Sequence, residues 1–352
     1  VSLGNSISAT LAQEAASGGV SAAGSVSSPV LTPADSYVFI AGYTTVDWIG
    51  ELIRVTLDPI SGVPSSTVDW SAQAKLDSKS YSTRSIWTYD ASVVTTKLRA
   101  FTSANYAANS YFNKPHISTS PTGLTQFLCS SADICLSATN QDTSHGAGAN
   151  LVNYLRGDRT NEGVETDNTK YYRQRSHVLG DIVNAQVSYV TSPQYNYVDP
   201  GYDTFRTNNA SRLAMVYVAA NDGMLHAFAA KGLAATEALV TTAANARAAA
   251  SLDPTNATKA ADAATATAAA SAAIAGDTQI GQEQWAFIPS FVMPNLYRLA
   301  DKKYRDNHRY YIDSSPVVGD VCTANCSNAG TAVWKTILVG GLGRGGRGYY
   351  AL

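Results

Sequence analysis

Three groups of residues in this sequence could do chemistry: a glycine cluster near the end, two close cysteine pairs and five scattered histidines. Gly341, Gly343 and Gly346 lie in GGLGRGGRGYYAL and spell G-x-G-x-x-G, the spacing that lets backbone amides cradle a pyrophosphate. That chemistry needs a strand before the loop and a helix N-terminus after it. The residues that follow, Arg347, Gly348, Tyr349 and Tyr350, read as strand, so a glycine turn between paired strands is expected instead. Cys129 and Cys135 enclose SSADI, and Cys322 and Cys326 enclose TAN. These spacings suit zinc poorly, whereas two short loops stapled separately suit an oxidising compartment, so two disulfides are expected. His116, His145, His177, His226 and His308 have no following partner at metal-pair spacing, and no G-x-S-x-G elbow marks a nucleophile. No catalytic residue, cofactor site or metal site is therefore expected within this chain.

The acidic residues point to structure. Asp181, Asp222, Asp313 and Asp320 recur at turns, where a carboxylate accepts hydrogen bonds from backbone amides; with Asn221 and Gly223 they read as turn formers. The Arg-Gly-Asp run at Arg156, Gly157 and Asp158 is expected, with Arg159, to make buried or interblade ion pairs.

Composition narrows the class. The chain has 352 residues, 15% of them charged, with a net charge of −2, so no basic surface for nucleic acid is implied. Twenty tyrosines and 26 glycines against three methionines suit a turn-rich, exported all-β protein. No stretch has the run of about 18 apolar residues that a membrane helix needs.

The elements that carry these residues repeat. SYVFIAGYTTVDWIGELIRVTLDP from residue 36 gives strand, turn and strand, with Trp70 following. MVYVAANDGMLHAFAAKG at 215–232 repeats the pattern, with Trp285 arriving late, and WKTILVGGLGRGGRGYYAL begins a third copy. Two copies are preceded by an apolar run ending in Gly-Asp, SHVLGDIV at 176–183 and SSPVVGDV at 314–321. A unit of four antiparallel strands that must stack on its neighbours is a propeller blade. The expected fold is all-β: a β-propeller of four-stranded blades, incomplete in this chain, with an Ala-rich helical insertion.

Together with LVNYLRGDRTNEG, YRQRSHVLGDIVNAQVSYV, WAFIPSFVMPNLYRLA and HRYYIDSSPVVGDV, these repeats resemble the propeller domain of the PilY1/PilC family of type IV pilus biogenesis proteins and tip adhesins. The resemblance implies export through the periplasm, a place at the pilus tip or outer cell surface, partners among minor pilins and the pilus-tip complex, and contact with host-cell or abiotic surfaces. It also implies a calcium loop, which this sequence lacks; a Ca2+ site is expected only beyond Leu352, in a longer molecule. Two other classes fit the blade pattern: a periplasmic propeller scaffold, and a quinoprotein-dehydrogenase-like enzyme, which would need calcium, a quinone pocket and stacked tryptophans.

The domain reading follows. Residues 1–34 are Ser/Ala/Gly-rich and read as a linker with one short helix at 5–16; residues 35–352 form the partial propeller. Residues 233–281 insert two Ala-rich helices, at 234–251 and 255–275, as a surface hairpin. Residues 101–150 read as a long loop excursion. Tyr195, Tyr197 and Tyr202 sit in a polar segment and are candidates for a binding loop, because each ring offers a large contact area at low entropy cost.

Overall fold

The computed structural model describes residues 20–26, 37–45, 47–58, 60–128, 135–141 and 146–352. The expected helix at 5–16 lies outside them. Three sheets stack along the chain. The first holds β1 (Val20–Val26), β2 (Tyr37–Thr44), β3 (Ile49–Thr56) and β4 (Trp70–Ser71), all antiparallel and in chain order. Residues 20–26, read as linker, thus supply a strand. In β3 the burial alternates before closing into a buried run, as a strand covered on one face and then on both should show.

The second sheet has six strands in the order β6-β5-β12-β11-β10-β9. Its core is a four-strand unit, antiparallel throughout: β9 (Ser188–Val190), β10 (Met215–Ala220), β11 (Met224–Ala229) and β12 (Glu283–Ile288). The last three are the expected ones, but the Gly-Asp run at 176–183, expected as the first strand, makes only a single bridge from Gly180 to Ile49, and Ser188–Val190 takes its place. β5 (Ile86–Tyr89) and β6 (Leu98–Ala100) widen it, and β5 joins β12 in parallel, with Ile86 opposite Ala286. This parallel pair departs from a simple four-stranded blade. The third sheet is β13 (Val317–Ala324), β14 (Val333–Gly341) and β15 (Tyr349–Ala351). Between β6 and β9 in the chain, β7 (Glu162–Gly163) and β8 (Tyr172–Arg173) form a short parallel pair.

The middle sheet is covered on both faces, which is why every residue of β11 is buried. Phe228 on one face meets Trp70 at 6.3 Å, and Tyr189 meets Tyr37 and Phe39 of the first sheet. Phe287 on the other face meets Tyr350 of the third sheet at 5.7 Å. Stacking of this kind is how blades hide faces that none could cover alone. The β14–β15 connection answers the question posed by the glycines: a 3-10 turn at Gly343–Gly345 is followed by strand, with Gly343 and Gly346 at φ of 58° and 149°. No helix follows to receive a phosphate.

Residues 101–150 are not a loose excursion where they are described. They form short helices, among them Lys114–Ser118 and Thr125–Leu128, that bury Phe101, Phe112, Ile117 and Leu124 in the main core. The chain then enters α1 (Ala149–Arg156).

The Ala-rich segment between β11 and β12 forms α2 (Ala234–Ser251) and α3 (Ala257–Gly276). The two share a small core of Val240, Ala243 and Ala270. Their root is fastened firmly: Glu237 of α2 pairs at 3.0 Å with Arg54, a fully buried β3 residue that also pairs with Asp69 at 2.9 Å. Asp277 closes the neck by accepting from the amides of Leu233, Gln279 and Ile280. Burial acts against its charged form, yet these bonds and one from Thr236 hold its carboxyl down at about 2. Among the described residues no helix is long and apolar enough to cross a membrane.

Candidate functional site

Beneath the β10–β11 turn lies a closed charge network. Ala220, Asn221, Asp222 and Gly223 reverse the chain, with Gly223 at φ 87° in the left-handed region that spares it a Cβ. Asp222 accepts from the amides of Gly180 and Met224, as its turn position predicts, and also from His226 at 3.0 Å. His226 turns its other ring nitrogen to Glu283 on β12, at 2.8 Å. Arg84 completes the set, its guanidinium engaging both Glu283 oxygens at 2.8 Å. Arg84, His226 and Glu283 are nearly or completely excluded from solvent.

Two cations facing two carboxylates balance the buried charge. Burial alone would push His226 down, but Asp222 and Glu283 more than offset it and raise the imidazole to about 9. Burial pushes Glu283 up, and the Arg84 guanidinium and His226 overcome it and hold the carboxyl far below its usual range; Asp222 is likewise held low by His226. The imidazolium donates from both nitrogens and keeps no lone pair to accept a proton. Both Glu283 oxygens are engaged by Arg84, and among the described residues no group of three or more His, Cys, Asp or Glu is placed to hold a metal.

The network sets a pH dependence. A raised histidine contributes stability that is fully present below its ordinary value near 6.5 and is lost as pH rises through about 9. The depressed carboxyls contribute above their ordinary values of 4.5 and 3.8 and lose that contribution in acid. The unfolding midpoint is therefore expected to plateau between about pH 4.5 and 6.5 and to fall on both sides, with an alkaline loss on the order of 3 kcal/mol. Differential scanning calorimetry from acid to alkaline pH checks this; a midpoint that holds through pH 10 would contradict a charged His226.

Other aspartates do different work from the expected one. Asp181 takes side-chain donors, Asn221 at 2.8 Å and His308 at 2.9 Å, and the His308 ring stacks on Trp48 at 3.6 Å. Asp320 takes the hydroxyls of Tyr202 and Thr336 at 2.8 and 2.6 Å. Of the four expected turn aspartates, Asp313 and Asp222 are the two that receive amides, from Asn184 and from Gly180 and Met224. Arg156 corrects the ion-pair expectation: it is buried at the end of α1 and donates to the carbonyls of Tyr81, Phe101 and Arg84. Gly157 then ends the helix at φ 113°, and Asp158 binds Thr160, so the Arg-Gly-Asp run is a helix terminus with a buried arginine.

The tyrosine segment folds onto the third sheet. Tyr195 and Tyr197 stack at 5.1 Å and remain 44% and 39% exposed, and Tyr197 also stacks on Trp334 at 5.8 Å. Tyr202 departs from the expectation. It is fully buried, and burial together with Asp320 pushes its phenol up to about 12. It anchors the loop, and the two exposed rings form the presented face. Cys322 and Cys326 form a disulfide across the β13–β14 turn, with Cα atoms 5.7 Å apart. Cys129 lies outside the described residues, so its expected bond to Cys135 does too.

The third sheet, with its glycine turn, belongs to the part of the chain that comparison with known families picks out. Residues 273–352 match the PilY1 beta-propeller domain. The PilY1 match takes in the end of α3, β12 with Glu283, and all of β13–β15. Similarity to curated PilY1 proteins extends further. A type IV pilus biogenesis factor PilY1 of Pseudomonas aeruginosa (strain UCBPP-PA14) is 29% identical over 314 residues, 87% of this chain and 20% of that protein. The same factor from strain PAK is 27% identical over an equal span. A PilY1 homolog of Xylella fastidiosa (strain Temecula1 / ATCC 700964) is 32% identical over 213 residues, 58% of this chain and 13% of that protein. The chain thus spans a fifth or less of the length of these relatives. No solved structure matches it.

Proposed function

We propose that this chain is a propeller segment of a type IV pilus biogenesis factor and works by binding, holding contact surfaces on rigid blades, with no catalytic step of its own. The observation that carries this is the similarity to PilY1 proteins over 87% of the chain, in which the stacked sheets provide the rigid frame. The proposed partners are minor pilins and the pilus-tip complex on one side and a host-cell or abiotic surface on the other. The proposed location is the pilus tip or outer cell surface, and the adhesive element is the Tyr195–Tyr197 face, where exposed stacked rings stand on a buried anchor. Calcium, where the longer protein uses it, is assigned to residues other than those described here.

The test is immunogold labelling of intact cells with antibody against residues 151–352, beside a strain lacking the gene. Gold at filament tips, with fewer filaments in the deletion strain, is the expected result. Gold seen only after permeabilising the envelope, with filament number unchanged, would overturn the pilus role and favour a periplasmic scaffold.

A further inference from the structure

Beside the β7–β8 pair lies an open groove of about 540 Å³ whose lining is strongly cationic. Arg159, Arg173, Arg175, Lys302 and Arg305 face it, against the two carboxylates Asp47 and Glu165. In a chain whose net charge is −2, this is a local excess of positive charge. We propose that the groove is a docking site for an acidic peptide segment of a partner protein. The inference stands on the groove alone and does not depend on the pilus reading.

Three of the five cations already have carboxylate partners. Arg175 pairs with Glu162 at 2.6 Å, Arg159 shares the same Glu162 at 3.3 Å, and Arg305 pairs with Asp47 at 2.8 Å. Arg173 and Lys302 have no carboxylate within ion-pair distance among the described residues. The Arg173 Nε donates to the Leu299 carbonyl at 2.7 Å, and its guanidinium lies 4.3 Å over the Tyr304 ring, which fixes its plane. Lys302 is only 5% exposed and donates to the Asp167 carbonyl; burial lowers its pKa. The nearby Asp167 and Glu165 carboxylates offset only part of that burial, so the ammonium keeps a net cost. An incoming carboxylate would supply the counter-ion, and a guanidinium of fixed plane suits it geometrically, since the fork of N–H donors matches two carboxylate oxygens.

The mixed lining selects the kind of anion. Asp47, paired with Arg305, and Glu165, paired with Lys303, interrupt the positive lining. A uniformly charged polymer laid along the groove cannot match that pattern, whereas a peptide can place acids opposite Arg173 and Lys302 and neutral residues elsewhere. Val164, 56% exposed in the same lining, offers an apolar contact that a polyphosphate cannot use.

Fluorescence anisotropy of a dye-labelled peptide of about ten residues, with Ser/Gly flanks around a central Glu-Asp-Glu-Asp run, tests the proposal against the full chain. Saturable binding that weakens with salt is expected, with Arg173→Gln and Lys302→Gln each costing about tenfold in Kd. Because Arg173 also packs on Tyr304, a third variant guards against misfolding: the Arg305 side chain is 60% exposed, and Arg305→Glu should weaken binding at an unchanged unfolding midpoint. Lys259→Gln, on α3, should leave affinity unaltered. No saturation, or equal affinity across the groove variants, would overturn the site. Tighter binding of long-chain polyphosphate with the same residue dependence would overturn the peptide assignment.

Discussion

Glu283→Gln is expected to lower the unfolding free energy by about 3–5 kcal/mol, the usual cost of removing one partner from a buried ion pair. The side chain is fully buried, and among the described residues its carboxylate is the only one in ion-pair contact with Arg84 and one of two in contact with His226. Glutamine keeps the shape but removes the charge, leaving the guanidinium and the imidazolium against Asp222 alone. For a chain of this size the loss corresponds to a fall of roughly 5–10 °C in the unfolding midpoint, readable by circular dichroism. The double variant Arg84→Met with Glu283→Leu separates charge from packing. Removing both partners takes away the unpaired ion, so the double variant should be more stable than Glu283→Gln by at least about 1 kcal/mol. If the double variant is instead the worse of the two, the site depends on shape and hydrogen-bond connectivity more than on charge balance.

None of these four residues was singled out together by the sequence. Asp222 was legible as a turn former because AANDG advertises a hairpin, and His226 lies four residues beyond it, in β11. A search for partners following each histidine misses that spacing, which runs backward. Arg84 and Glu283 are separated by 199 positions, and no local pattern records a contact made by sheet pairing over such a distance. The parallel union of β5 with β12 was hidden for the same reason. What could be read was what depends on nearest neighbours: the hairpins, the glycines at positive φ between β14 and β15, and the late Trp285 strand. The first strand of the repeat was not: it was expected at the Gly-Asp run of 176–183 and forms instead at Ser188–Val190. Tyr202 marks the boundary between the two kinds of information. Its polar, tyrosine-rich surroundings suggest exposure, yet Asp320, 118 positions away, draws it inside.

The two Gly-Asp runs are alike in sequence and opposite in structure, and that contrast yields the second large effect. Gly180 lies where three backbones stack: Gly50 donates to the Leu179 carbonyl at 3.1 Å on one side, and Asn221 donates to the Asp181 carbonyl at 2.9 Å on the other. A Cβ on Gly180 would sit 2.4 Å from the Asp222 nitrogen, and one on Gly50 would sit 2.1 Å from the Gly180 oxygen. These neighbours are main-chain atoms held by the turn, so they cannot swing aside as the end of a side chain can. Gly180→Ala must therefore displace Asp222, and with it a counter-ion of His226. An expected destabilisation of about 3 kcal/mol or more combines overpacking with partial loss of the ion pair. Gly319 lies within β13 with open space where its Cβ would go, so Gly319→Ala should change stability by no more than about 0.5 kcal/mol. The pH profile distinguishes mere crowding from displacement of Asp222. Crowding alone lowers the midpoint equally at all pH values, whereas moving the carboxylate away from His226 shrinks the alkaline loss, because an imidazole with one counter-ion fewer is raised less. A Gly180→Ala variant as stable as Gly319→Ala would show that the three backbones are not packed in contact, and that the Gly-Asp run serves only as a turn.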